Sequence, residues 1–151
     1  MKLTTNFTFE ELTDSSSYPN LVPKNRELAK QYEKRLRYVA GTLEEIRAVL
    51  KCRIHVSSGY RYAELNKAVG GSVTSKHMFA LCADIVPLDG ITVEEAFELL
   101  IANKDKLPSL RKCIIEGVKG KVWLHIQTKL EAKEPTDFLT TTDGVNFEKV
   151  A

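Results

Sequence analysis

Lys121-Val-Trp123-Leu-His125-Ile-Gln-Thr128 is the stretch on which the architecture turns. His125 alternates faces with Leu124 and Ile126, which is the period-two pattern of a half-buried β-strand. Just upstream, Arg111 to Glu116 reads as a second strand, and the tight Gly117-Val-Lys-Gly120 connection makes the two a hairpin. The same pattern recurs on either side. Arg53 to Ser57 alternates through Ile54 and Val56, and Cys82-Ala-Asp-Ile-Val86 is stopped by Pro87. Phe138 to Thr142 and Val145 to Val150 flank Asp143-Gly144, a strong hairpin signal.

Ahead of these strands the periodicity is helical. Leu28, Tyr32, Leu36, Val39, Leu43 and Ile46 recur at three- and four-residue spacing, predicting one long helix from Asn25 to about Leu50 with a break near Gly41. Thr8-Phe-Glu-Glu11 is a capping box opening a short helix over Phe9 to Leu12, and Thr92-Val-Glu-Glu95 opens another that runs to about Asn103. Glu64 to Val69 forms a helical turn that ends at Gly70-Gly71, where a left-handed backbone costs little. Helices come first and antiparallel strands later, so the class is α+β: one domain, residues 1–151, with N-terminal helices packed on a mainly antiparallel sheet.

The bulk numbers exclude several roles. A chain of 151 residues supports one real core, and a formal charge of +2 is too small to argue for nucleic acid. Cys52, Cys82 and Cys113 are odd in number and lack CxxC spacing, which reads as buried free thiols. The N-terminus shows no apolar signal region, and no apolar run approaches the roughly 18–20 residues of a membrane span. We therefore expect a monomer with no membrane or nucleic-acid partner.

Chemistry concentrates in Ser75-Lys-His77-Met-Phe-Ala80-Leu-Cys82-Ala83-Asp84, answered downstream by Trp123-Leu-His125. Asp84 sits between Ala83 and Ile85 in a strand that reads as buried, and an unpaired buried carboxylate is costly. A cation would satisfy it; so would an ion pair with Lys or Arg. His77 and His125 offer two imidazoles, and with Asp84 they make a three-ligand zinc set that leaves a fourth position open, as catalytic zinc sites do. His55 has no comparable company and stays unassigned.

These residues resemble the zinc D-Ala-D-Ala carboxypeptidases and the related phage L-Ala-D-Glu endolysins, which share a fold with the Hedgehog amino-terminal domain. The family pattern is S-x-H-x-x-G-x-A-x-D followed by W-x-H. An upstream segment typical of the single-domain branch is matched by Ser58-Gly-Tyr60-Arg61-Tyr-Ala-Glu-Leu65-Asn66-Lys-Ala-Val69-Gly70-Gly71. The resemblance implies one zinc ion held by His77, Asp84 and His125. It implies substrate binding by Arg61, Ser75 and Tyr60, with Arg61 also part of the catalytic apparatus as the clamp on a carboxylate or carbonyl. A guanidinium suits that role because it presents a planar fork of donors. The implied reaction is hydrolysis of an amide bond in peptidoglycan stem peptides. The implied setting is a lysin of phage or prophage type, made in the cytoplasm and released to the wall.

Departures from the pattern matter. Ala80 replaces the family glycine, which strains the backbone if φ is positive there. Cys82 replaces an alanine and shares a strand face with Asp84, which puts a thiol near the metal. Some relatives carry an acid where this chain has Val122. The single-domain F-D-Q-L-I-x-E segment becomes Leu110-Arg111-Lys112-Cys113-Ile114-Ile115-Glu116, leaving Glu116 as the candidate general base. A hairpin turning over Gly117 to Gly120 would set Glu116 opposite Lys121, roughly 13 Å from His125, unless a bulge or a different turn shortened the path. A catalytically inactive zinc-containing binding module, or a phage structural component, is the alternative that these departures leave open.

Overall fold

The computed structural model describes every residue from Met1 to Ala151. Alternation along the strands decides which side of the sheet is dry. The strands are β1 (Ile54–Ser58), β2 (Cys82–Pro87), β3 (Leu110–Val118), β4 (Lys121–Thr128), β5 (Asp137–Thr140) and β6 (Glu148–Lys149). They form one sheet in the order β1-β2-β4-β3-β5-β6. Every neighbouring pair is antiparallel except β3 and β5, which run parallel. The class is α+β, with a single domain and a mainly antiparallel sheet.

Ala83, Ile85, Cys113, Leu124, Ile126 and Phe138 are buried on one face of that sheet. Two helices cover them. Helix α2 (Glu33–Leu50) contributes Leu36, Val39, Ala40, Leu43 and Ile46, and helix α4 (Val93–Ala102) contributes Ala96, Phe97 and Leu100. Phe97 meets Phe138 edge-on at 5.9 Å between ring centroids. The N-terminal segment adds Leu3, Phe7, Phe9 and Leu12 to the same cluster. No helix is long and apolar enough to cross a membrane.

The long helical period is interrupted, but not at Gly41. Helix α1 (Val22–Ala29) is joined to α2 by a 3-10 turn at Lys30–Tyr32, and α2 runs through Gly41 unbroken. A Cβ at Gly41 would meet nothing within 4 Å, so this glycine is simply an open helical position. The first capping box forms in full and the second by half. The Thr8 hydroxyl accepts from Glu11 N–H while Glu11 accepts from Thr8 N–H, and Thr92 accepts from Glu95 N–H. The first opens only a 3-10 turn, Glu11–Thr13. A short helix α3 (Ala63–Ala68) completes the set.

The β3–β4 hairpin turns later than the glycines suggest. Val118 pairs with Lys121, so the loop is Lys119-Gly120 alone, both with positive φ (50° and 82°). That is the geometry a two-residue hairpin turn demands. Gly117 stays in the strand opposite Val122, and Glu116 stands opposite Trp123 rather than Lys121.

Candidate metal centre

The face of the sheet that turns away from the core carries the polar row. Asp84 on β2 is the direct cross-strand partner of His125 on β4, and Ile114 on β3 flanks His125 on its other side. His125 Nδ1 lies 3.0 Å from Asp84 Oδ1. His77 reaches the same oxygen from a 3-10 turn, Lys76–Phe79, with Nε2 at 3.4 Å. The two imidazoles meet edge-on, 5.1 Å between centroids. One ligand atom from each of His77, Asp84 and His125 lies within 4.8 Å of the other two. Tetrahedral zinc with bonds of about 2.0–2.1 Å sets its ligand atoms about 3.3 Å apart. The side chains stand near that spacing already, and their chemistry is that of a zinc donor set.

His77 is fixed by its second nitrogen. It is 2 % exposed, and Nδ1 donates to the Gly59 carbonyl at 2.7 Å, which leaves Nε2 as the free lone pair facing Asp84. That outer contact selects the tautomer a ligand needs. It depends on Gly59, because a Cβ there would lie 2.3 Å from the Leu12 carbonyl oxygen. Ser75 caps the turn by accepting from His77 N–H, and Arg61 N–H donates to the His77 carbonyl at 3.1 Å.

Charge is divided unevenly among the three. Burial holds His77 below its usual pKa, outweighing the attraction of Asp84. Burial would raise Asp84, but the nearby imidazoles and their hydrogen bonds override it and hold the carboxyl far below the usual range. Burial would lower His125; hydrogen bonds with Asp84 and with Cys82 prevail and lift it well above its ordinary value. The carboxylate is thus compensated from the His125 side, while the His77 lone pair turned toward it calls for a cation between the two.

The corrected hairpin register brings Glu116 into the group. Glu116 is one diagonal step from His125, and its Oε1 lies 3.7 Å from His125 Nδ1. The expected separation of roughly 13 Å rested on a turn two residues too early. Trp123 Nε1 donates to Glu116 Oε1 at 3.3 Å. Burial raises the Glu116 pKa, an effect larger than the opposing pull of His125.

Arg61 follows β1 and is largely desolvated, which lowers its pKa against the attraction of Asp84, Cys82 and Glu116. Its Nη2 reaches Ser75 Oγ at 3.4 Å, while its buried Nε has no hydrogen-bond partner. A buried donor left free is suited to an incoming acceptor. Arg61, Ser57 and Ser58 line a cavity of about 110 Å³ together with Asp14 to Ser17.

Tyr60, beside Arg61, turns its ring into the core. It is 4 % exposed within the core cluster, its ring packed 5.4 Å from that of Tyr32. His55 lies on β1 opposite Val86, apart from the group. Cys82 is buried beside His125 but outside the three-residue set.

Sequence reasoning missed Asn25. Fully buried at the start of the helical region, it donates to the Thr13 and Tyr60 carbonyls and accepts from Tyr62 N–H. It thereby pins the Ser58–Tyr62 segment that delivers Gly59 and Arg61. An Asn on a helix reads as surface, and nothing local distinguishes this one.

A family model described as Peptidase M15 matches residues 5–106, about two thirds of the chain. His77 and Asp84 fall within that span; Glu116 and His125 lie beyond it. No curated protein matches the chain.

Proposed function

Because the chain belongs to the M15 peptidase family, which is zinc-dependent, we propose that it hydrolyses amide bonds in the stem peptides of bacterial peptidoglycan, as a carboxypeptidase or endopeptidase of endolysin type. The observation that carries the reading is the convergence of four groups on one point: His77 Nε2, Asp84 Oδ1, His125 Nδ1 and, 3.7 Å from the last, Glu116 Oε1. His77, Asp84 and His125 would hold one zinc ion. When bound, zinc lowers the pKa of a water and polarises the scissile carbonyl.

The chain's own residues supply the rest. Glu116 accepts a proton from the attacking water and returns it to the leaving amine, a role favoured by a carboxylate whose pKa burial has raised toward the working pH. Trp123 holds the accepting oxygen in place. Arg61, with its free Nε and its contact to Ser75, holds a carboxylate or carbonyl of the peptide. The proposed setting is a monomer that acts at the wall after release.

The test is digestion of purified peptidoglycan with products read by mass, alongside metal analysis. Glu116→Gln is expected to lower turnover by about 10²–10⁴-fold while zinc content stays at one per chain. Chelation, His77→Ala or His125→Ala should abolish cleavage. Full cleavage by a metal-free sample would overturn the mechanism. Zinc binding without any cleavage by the wild type would favour a binding module.

A further inference from the structure

A groove of about 300 Å³ opens on the reactive face beside Glu116. It is lined by Glu116 and its cross-strand partner Trp123, by Val118 and Lys119 at the β3–β4 hairpin tip, and by the turn that follows β5. Register explains the join. Ile115 pairs with Thr140 in the parallel β3–β5 ladder, so one further step brings Thr141 alongside Glu116. The turn is braced from within. Thr141 Oγ1 donates to the Asn146 carbonyl at 2.7 Å and accepts from Gly144 N–H, while Asp143 accepts from Val145 and Asn146 N–H. A wall held this way loses little freedom when a ligand arrives.

Strand order gives the groove a direction. Across β1-β2-β4-β3-β5, Arg61 follows β1, Asp84 and His125 stand on β2 and β4, and Glu116 on β3 borders the groove. Glu116 returns its proton to the leaving amine, so the residues after the cut depart on the groove side. From β1 to β5 is four strand spacings, about 19 Å, the reach of about five or six extended residues. Charge then decides how far the peptide continues. Among the lining side chains Glu116 and Asp143 are anionic and Lys119 is the single cation. A peptide ending one residue past the cut would set its terminal carboxylate against Glu116, and like charges repel. A longer peptide carries that carboxylate past the groove and lays neutral backbone along the Trp123 ring.

We propose that this groove binds the residues on the leaving-amine side of the scissile bond, so that the enzyme is an endopeptidase requiring more than one residue beyond the cut and not a carboxypeptidase that removes one. The inference rests on the peptidase reading with Glu116 as base.

The test compares a synthetic stem peptide that the wild type cuts with the same peptide ending one residue past the cut. The short peptide should lose about 10–200-fold in kcat/KM, the range of a lost pocket contact. Thr142→Phe and Val118→Phe narrow the groove from opposite sides, at exposed positions outside the catalytic set. Each should slow the long peptide and spare the short one. Trp123 is the sole tryptophan, so its fluorescence reads the groove without turnover. In chelator-treated protein, the synthetic leaving-side fragment should shift that fluorescence in the wild type and far less in Thr142→Phe. Equal cleavage of the two peptides by the wild type, or losses in the variants that fall equally on both, overturns the groove assignment and leaves the peptidase reading standing. A fragment that leaves the fluorescence unmoved does the same. Zinc-loaded wild type that cuts neither stem peptides nor peptidoglycan defeats the peptidase reading and this inference with it.

Discussion

Ala80 joins the turn that carries His77 to the strand that carries Asp84, and it does so in the left-handed region (φ 56°, ψ 43°) while fully buried. Three contributions meet there. An L-residue in this conformation costs about 1–2 kcal/mol; glycine would relieve that but return about 0.4–1 kcal/mol as unfolded-state entropy; and losing a buried methyl costs about 0.8 kcal/mol. They nearly cancel, so Ala80→Gly should lie within about 0.5 kcal/mol of wild type. Ala80→Val combines a β-branched residue at positive φ with overpacking and should cost about 3 kcal/mol. Denaturant midpoints at constant slope check both. Trp123→Phe removes the donor that favours the Glu116 carboxylate. A base works only when deprotonated, so raising its pKa should move the acid limb of the pH–rate profile upward. An unmoved limb would separate Glu116 from the proton transfer. Asp84 and His125 are legible as polar groups in apolar strands that need a partner, whereas His77 stands out only by its spacing to Asp84 and by the family resemblance. Glu116 was legible as chemistry but not as distance, since one turn residue decides the register. Asn25 was not legible at all.

At the scale of elements, Arg111 holds two strands and a loop together. It pairs with Asp137 at 2.8 Å and with Glu134 at 3.7 Å, tying the start of β5 and the loop before it to β3. Lys149 adds a contact from β6. The Arg111 hydrogen bond is the largest cause of a depressed Asp137 pKa. That stabilisation is complete above the unfolded value of about 3.9 and is lost as pH falls through the lower folded value. Arg111→Ala should cost on the order of 1 kcal/mol at neutral pH, and the deficit should shrink as the medium is acidified below pH ~4. Urea titrations across that range decide it. The hairpin that Asp143-Gly144 signals is there, with β5 and β6 antiparallel, and its turn is wider than those two residues because Asp143 accepts from Val145 and Asn146 N–H.

Across the whole molecule, the metal assignment carries a stability consequence. Zinc that binds only the folded form should raise the melting temperature, and at 100 times its dissociation constant it adds about 2.7 kcal/mol. Calorimetry with added zinc, then excess chelator, should show the rise and its reversal; a melting temperature indifferent to both would count against the centre. The α+β class was readable because a helical period precedes a strand period along the chain. The parallel β3–β5 pairing was not, because local alternation says nothing about which strand becomes a distant neighbour. The pleat itself has a lasting consequence. Odd and even residues of β2, β3 and β4 answer to different demands, one set to the dry interior and the other to the reactive surface. Evolution, or a protein engineer, can therefore rewrite the chemistry of this scaffold at alternate positions and leave its foundation untouched.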